Sequence, residues 1–162
     1  MQSNIDLRSD TVTLPTRTMR EAISVAEVGD DHSREDPSVN QLEITASEFT
    51  GKEAALFVPS GTMANLVALL THCGRGDEVV AGSESHITNH EGMGAFVLGG
   101  LSVRTVANDF KGRINLEELK NALRPEWPKT AVLCLENTHN RCGGSAIPKS
   151  EIKALATVAR EH

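Results

Sequence analysis

Cysteine is scarce in this chain: three residues, Cys73, Cys134 and Cys142, with no Cys-x-x-Cys spacing among them. An odd count of that kind excludes a disulfide framework and points to reduced thiols, for which the cytoplasm is the default compartment. Long apolar runs are also missing, so no stretch approaches membrane-spanning length, and Met1-Gln2-Ser3-Asn4-Ile5-Asp6 lacks the basic and apolar regions of a signal peptide. Basic residues are outnumbered, 16 Lys and Arg against 22 Asp and Glu, for a net charge of -6, and they are scattered. That excludes nucleic acid or an anionic membrane surface as a partner. Neither Gly-x-x-x-x-Gly-Lys-Ser/Thr nor Gly-x-Gly-x-x-Gly occurs, which sets aside the usual nucleotide cradles. There is no tyrosine at all.

What is present suits one globular domain. The 162 residues are enough for a single hydrophobic core, 39% of them are hydrophobic, and no repeat, low-complexity tract or linker interrupts them. A helix is expected from Arg17 to Ala26, and a second behind Asp36-Pro37, an N-cap followed by an N1 proline. Its apolar positions Val39, Leu42, Ala46 and Phe49 fall at helical spacing and Gly51 is placed to end it. Ala54 to Val58 reads as a buried strand, Met63 to His72 as a helix, Glu78 to Ala81 as a strand and Glu91 to Leu98 as loosely helical. Ser102 to Val106 is a strand, Asn115 caps a helix bearing Leu116, Leu119 and Leu123, and Ala131 to Leu135 is a continuous apolar strand. A last helix follows Pro148, with Ile152, Leu155, Ala156 and Ala159 on its apolar face. Strands separated by helices imply parallel pairing with helices on the faces, the α/β class.

The densest local signal is Phe57-Val58-Pro59-Ser60-Gly61-Thr62-Met63-Ala64-Asn65, where an apolar run breaks at a glycine-containing turn and resumes as a helix. Free backbone N–H groups, a threonine hydroxyl and the positive end of a helix dipole favour a bound dianion there. The same residues also read as a plain turn with an N-cap.

Three further stretches stand in order: Ile5-Asp6-Leu7-Arg8-Ser9-Asp10-Thr11-Val12-Thr13, then Val28-Gly29-Asp30-Asp31 with Glu35-Asp36-Pro37, and Cys134-Leu135-Glu136-Asn137-Thr138-His139-Asn140 ahead of Gly143-Gly144. Together they resemble the N-terminal part of the low-specificity L-threonine aldolases, pyridoxal-phosphate lyases of fold type I in the aromatic amino acid beta-eliminating lyase group. The resemblance runs from about Ile5 to His162. It implies a large cofactor-binding domain with a mostly parallel sheet and flanking helices, of which residues 1–162 form an N-terminal arm and a part. It also implies a homo-oligomer that cleaves L-threonine or L-allo-threonine to glycine and acetaldehyde with pyridoxal 5'-phosphate as cofactor.

Carried over residue by residue, the resemblance makes Gly61 and Thr62 the phosphate cup and His86, in Glu84-Ser85-His86-Ile87, the ring stacked on the pyridine. His139 lies near the substrate hydroxyl as its base or the organiser of one, and Ser9 helps hold the substrate carboxylate. Read without it, Asn65 is a helix-surface amide, Ser9 belongs to an ordinary capping cluster and His139 is a histidine in a turn. An imidazole titrates near neutrality, so a proton-transfer role is chemically reasonable. His86 and His90 are four apart beside Glu91, but a helical zinc pair wants His-Glu-x-x-His, so no metal site is read here.

The acid at the ring nitrogen and the lysine that bonds the cofactor lie in family motifs that match nothing up to His162. Lys52, Lys111, Lys120, Lys129, Lys149 and Lys153 read as solvated surface charges. Two departures bear on substrate preference: Ser33 stands where relatives commonly carry an aromatic residue, and the segment His86 to Glu91 lacks its usual tyrosine. The rival reading is a non-catalytic product or pseudoenzyme that keeps the fold without the lysine.

Overall fold

The computed structural model describes residues 5–162. The chain divides into two compact units, Met1–Pro59 and Ser60–His162.

The first unit is helical. A 3-10 turn, Asp10–Val12, precedes α1 (Arg17–Val25), whose N-cap Thr16 accepts a hydrogen bond from Met19 N. In α2 (Pro37–Thr50) the expected caps are both in place. Asp36 Oδ1 accepts from Val39 N at 2.9 Å, Pro37 occupies the first turn, and Gly51 closes the helix with a left-handed backbone at φ 65°. The apolar spacing was a sound guide to the helix and a poor one to burial. No residue of α2 is buried, and Phe49 is 91% exposed.

The strand expected over Ala54 to Val58 does not form. That segment is irregular, Leu56 and Phe57 are exposed, and Phe57 N donates to the Glu43 carboxylate at 2.8 Å rather than to a neighbouring strand. An apolar run specifies burial only when a partner lies beside it, and local sequence cannot supply that partner.

The second unit is the α/β body. Its helix α3 (Gly61–His72) is capped by Ser60, whose hydroxyl accepts from Met63 N at 3.1 Å. Three parallel strands follow: β1 (Glu78–Gly82), β2 (Ser102–Val106) and β3 (Thr130–Cys134), in the order β2-β1-β3. Between β1 and β2 lie two short helices, α4 (His86–Asn89) and α5 (Gly94–Val97), where a single loose helix was expected over Glu91 to Leu98. Helix α6 (Leu116–Ala122), capped by Asn115, crosses from β2 to β3, and α7 (Lys149–Glu161) ends the chain.

Every residue of the central strand β1 is buried, which is why Glu78-Val79-Val80-Ala81-Gly82 reads as an apolar run without alternation. Successive side chains point to opposite faces. Val80 therefore packs with Val106, Leu119, Leu155 and Val158 on the side of α6 and α7, while Val79 packs with Leu69 and Leu101 on the side of α3. The buried residues of α7 are Leu155 and Val158, with Ile152, Ala156 and Ala159 of the expected apolar face half-buried beside them. Glu78, the buried acid of β1, accepts from Arg104 Nε of β2 at 2.8 Å and from the Thr130 hydroxyl of β3 at 3.3 Å, tying the three strands at one end. No helix of the described residues is long and apolar enough to cross a membrane.

Candidate active site

Open parallel sheets present their strand ends, and the loops after them, at the carboxyl edge, where ligands bind. Here β1 runs into Ser83, Glu84 and Ser85 and then α4, while β3 runs into Leu135, Glu136 and Asn137. Between those two strand ends and α3 lies a cavity of roughly 370 Å³, with Asn65, Leu69, Ser85, His86, Cys134 and Glu136 in its lining. No lysine lines it.

His86 opens α4 and its ring is about half exposed. Nδ1 lies 2.8 Å from Glu91 Oε1, and the same oxygen accepts from Asn65 Nδ2 at 2.7 Å. The Glu91 side chain is nearly buried, so its ionised carboxylate needs these donors. This contact at Nδ1 fixes the orientation of the His86 ring at the cavity. The His90 ring lies 5.3 Å from that of His86 and tilted by 45°, and its Nε2 meets Arg141 Nη1 at 3.3 Å. Asn65 is therefore more than a surface amide, since it braces the residue that orients His86.

Gly61 and Thr62 form the first turn of α3, one turn before Asn65 and about 6 and about 4.5 Å from it along the helix axis. Their N–H groups precede the intrahelical ladder and both residues are exposed. A Cβ on Gly61 would meet nothing within 4 Å, so the protein's own packing does not require glycine there. Neither residue lines the cavity; they stand on the helix that does. Ser60 is the plain N-cap that the sequence also allowed.

His139 is elsewhere. Its side chain is 1% exposed, neither ring nitrogen has a hydrogen-bond partner, and the nearest carboxylate oxygen is Glu136 Oε1, 3.8 Å from Nδ1. The ring lies against Gly112, where a Cβ would stand 2.5 Å from His139 Cγ and Cδ2. Gly112 is held in a turn with φ 75°. Asn108 Nδ2 donates to its carbonyl at 2.9 Å, and Asn108 Oδ1 accepts from Glu84 N at 2.9 Å. Ser9 belongs to the other unit, where its hydroxyl accepts from Thr11 N at 3.3 Å and caps the 3-10 turn.

Sequence reasoning assigned no role to Glu91, Glu136, Asn108 or Gly112. Glu136 was in plain view, three residues before His139, but nothing in a sequence says that its oxygens reach back to the backbone of residue 86. The burial of Cys134 pushes its thiol up to about 11, so this cavity-lining cysteine is a protonated, apolar wall and not a nucleophile at neutral pH.

The residues present suit a flat, phosphorylated cofactor in two respects: an imidazole face held at a cavity by a buried acid, and a helix N-terminus with a hydroxyl nearby for an anion. Comparison with known proteins identifies the family. The beta-eliminating lyase family matches residues 6–162. The chain is 45% identical over 164 residues to a protein named probable low-specificity L-threonine aldolase 2 from Arabidopsis thaliana, covering 98% of this chain and 46% of that protein. It is 44% identical over 161 residues to the low specificity L-threonine aldolase of Escherichia coli (strain K12), covering 98% of this chain and 47% of that one. It thus spans about half the length of these relatives. A crystal structure from Listeria monocytogenes, of a protein proposed to be an L-allo-threonine aldolase, superposes with a TM-score of 0.65 at 22% identity over 76% of this chain and 33% of that one, which shows a shared fold.

Proposed function

The chain belongs to the beta-eliminating lyase family, and from that membership we propose that the protein cleaves L-threonine or L-allo-threonine to glycine and acetaldehyde with pyridoxal 5'-phosphate. The observation that carries this reading is the 44–45% identity to low-specificity threonine aldolases across nearly the whole chain. The bound cofactor supplies an electron sink for the bond broken at Cα. In this reading Gly61 and Thr62 hold the phosphate through backbone N–H groups and the threonine hydroxyl, and His86 offers its ring face, kept in one orientation by Glu91. His139 takes the proton of the substrate hydroxyl, and Ser9 contributes to the carboxylate site.

What supports His139 in that role is its want of any partner at either nitrogen. A buried imidazole without hydrogen bonds is costly, and a hydroxyl from a ligand would relieve it. Because the ring is enclosed, a substrate reaches it only when the turns covering it move. Three free thiols, Cys73, Cys134 and Cys142, support a reducing compartment such as the cytoplasm. Exposed Leu42, Ile44 and Phe49 support assembly into a homo-oligomer.

The test is acetaldehyde release from L-threonine, with pyridoxal phosphate, by the protein at the full length of its relatives, followed through alcohol dehydrogenase and NADH; residues 1–162 alone, which offer no lysine for the cofactor, are expected to be inactive. Turnover is expected, and Thr62→Ala should weaken cofactor binding about tenfold, the loss of one hydrogen bond to a charged group. No acetaldehyde from either threonine isomer would sink the reading.

A further inference from the structure

One carboxylate ties together the two segments that carry the histidines. Glu136 follows β3, and its Oε2 accepts from the backbone N–H of His86 at 2.6 Å, at the start of α4. Its Oε1 accepts from the backbone N–H of Asn140 at 2.9 Å, at the start of the 3-10 turn Asn140–Cys142 that follows His139. The same Oε1 is 3.8 Å from His139 Nδ1. Each oxygen has spent one lone pair on a backbone donor, so Oε1 keeps a second. At 3.8 Å the imidazole is not yet bonded, but a shift of about 1 Å would make a charge-assisted hydrogen bond. The ring is fully enclosed and both of its nitrogens are orphaned, so a bond to Oε1 would satisfy one buried polar atom.

We propose that Glu136 is a positioning residue: it sets the placement of His86 and His139 relative to each other and holds His139 with its proton on Nδ1, leaving the Nε2 lone pair for proton transfer. Only a carboxylate serves. Two donors already converge on this side chain, the N–H groups of His86 and Asn140, and the Nδ1–H of His139 would be the third; an amide in its place would offer one acceptor oxygen and turn an NH₂ toward the rest. Without that acceptor the neutral ring has no reason to keep its proton on Nδ1, the less favoured tautomer of a free imidazole, and its lone pair no longer points away from Glu136. The catalytic consequence rests on the reading of His139 as the hydroxyl base, whereas the tautomer does not.

The decisive measurement is therefore the tautomer of His139, from long-range ¹H–¹⁵N correlation spectra of the ring-labelled protein, with the signal assigned by its loss in His139→Gln. The wild-type protein should show the proton on Nδ1. Glu136→Gln should shift His139 to the Nε2–H form or a mixture, and threonine cleavage should lose about 10-fold or more in kcat with KM little changed. A wild-type proton on Nε2, or the same spectrum in wild type and Glu136→Gln, overturns the proposal. If Glu136→Gln does not fold, the wild-type spectrum still decides. If the wild-type protein cleaves no threonine, the proposed function fails while the tautomer result stands on its own.

Discussion

Gly112 shows how much of a site is decided by an atom that is missing. Its φ of 75° lies in the left-handed region that side chains avoid, and its absent Cβ is the space the His139 ring occupies, with Cγ and Cδ2 at 2.5 Å from where that carbon would stand. Gly112→Ala therefore strains the turn and displaces the ring together. It should cost about 1–3 kcal/mol of stability, read as a lower urea midpoint, and should move the His139 ring signals in the spectra described above. An unshifted midpoint with unmoved signals would mean that the ring is not seated there. The two residues are 27 apart in the chain, and no local pattern announces that one makes room for the other. His86, by contrast, was legible at this scale, because its place after β1 sends it to the carboxyl edge of a parallel sheet.

Helix α2 is the element whose ends were plainest in the sequence, and its N-cap carries a pH dependence. The Asp36 carboxyl is held below the usual carboxylate range by the backbone N–H of Val39 and then by that of Gly29, which donates to Oδ2 at 3.0 Å. A folded-state value lowered in this way stabilises the fold above the unfolded value of about 3.9, and that stabilisation is lost as pH falls through the folded value. The urea midpoint of the wild-type protein should therefore drop through that acid window more steeply than that of Asp36→Asn, whose amide oxygen still caps but does not titrate. Parallel curves would remove Asp36 from the acid response. The failure over Ala54 to Val58 belongs to the same scale. Alanine, leucine, phenylalanine and valine in a row describe a segment able to be a buried strand, and whether it becomes one depends on a neighbour far away in sequence.

Across the whole molecule, burial is uneven. The second unit contains the two core clusters around β1, whereas α1 and α2 of the first bury no residue. Local opening free energy follows buried contacts, so amide hydrogen exchange should be slowest at Val79, Val80 and Ala81 and in the strands beside them, and fast along α1 and α2. Equal protection in α2 and β1 would show that the apolar residues Leu42 and Phe49 are covered in solution. That outcome would also bear on assembly, since a face exposed in one chain and protected in solution has a partner.

The α/β class, the family and, among the described residues, six of the seven helices in outline and all three sheet strands were determined by the sequence alone. These depend on period, caps and short motifs, all of which act between residues close together in the chain. The tertiary structure decided which apolar stripes are covered, that Val79 and Val80 serve opposite cores, and that Glu91 and Asn65 orient His86. It also decided that Glu136 reaches both histidine segments and that Gly112 is the floor beneath His139. Most of these are meetings of residues about 20 to 50 positions apart, or of two faces of one strand, and even the short-range contacts of Glu91 with His86 and of Glu136 with Asn140 need a turn that folds back; such meetings are set by how the sheet is ordered and how the helices pack on it.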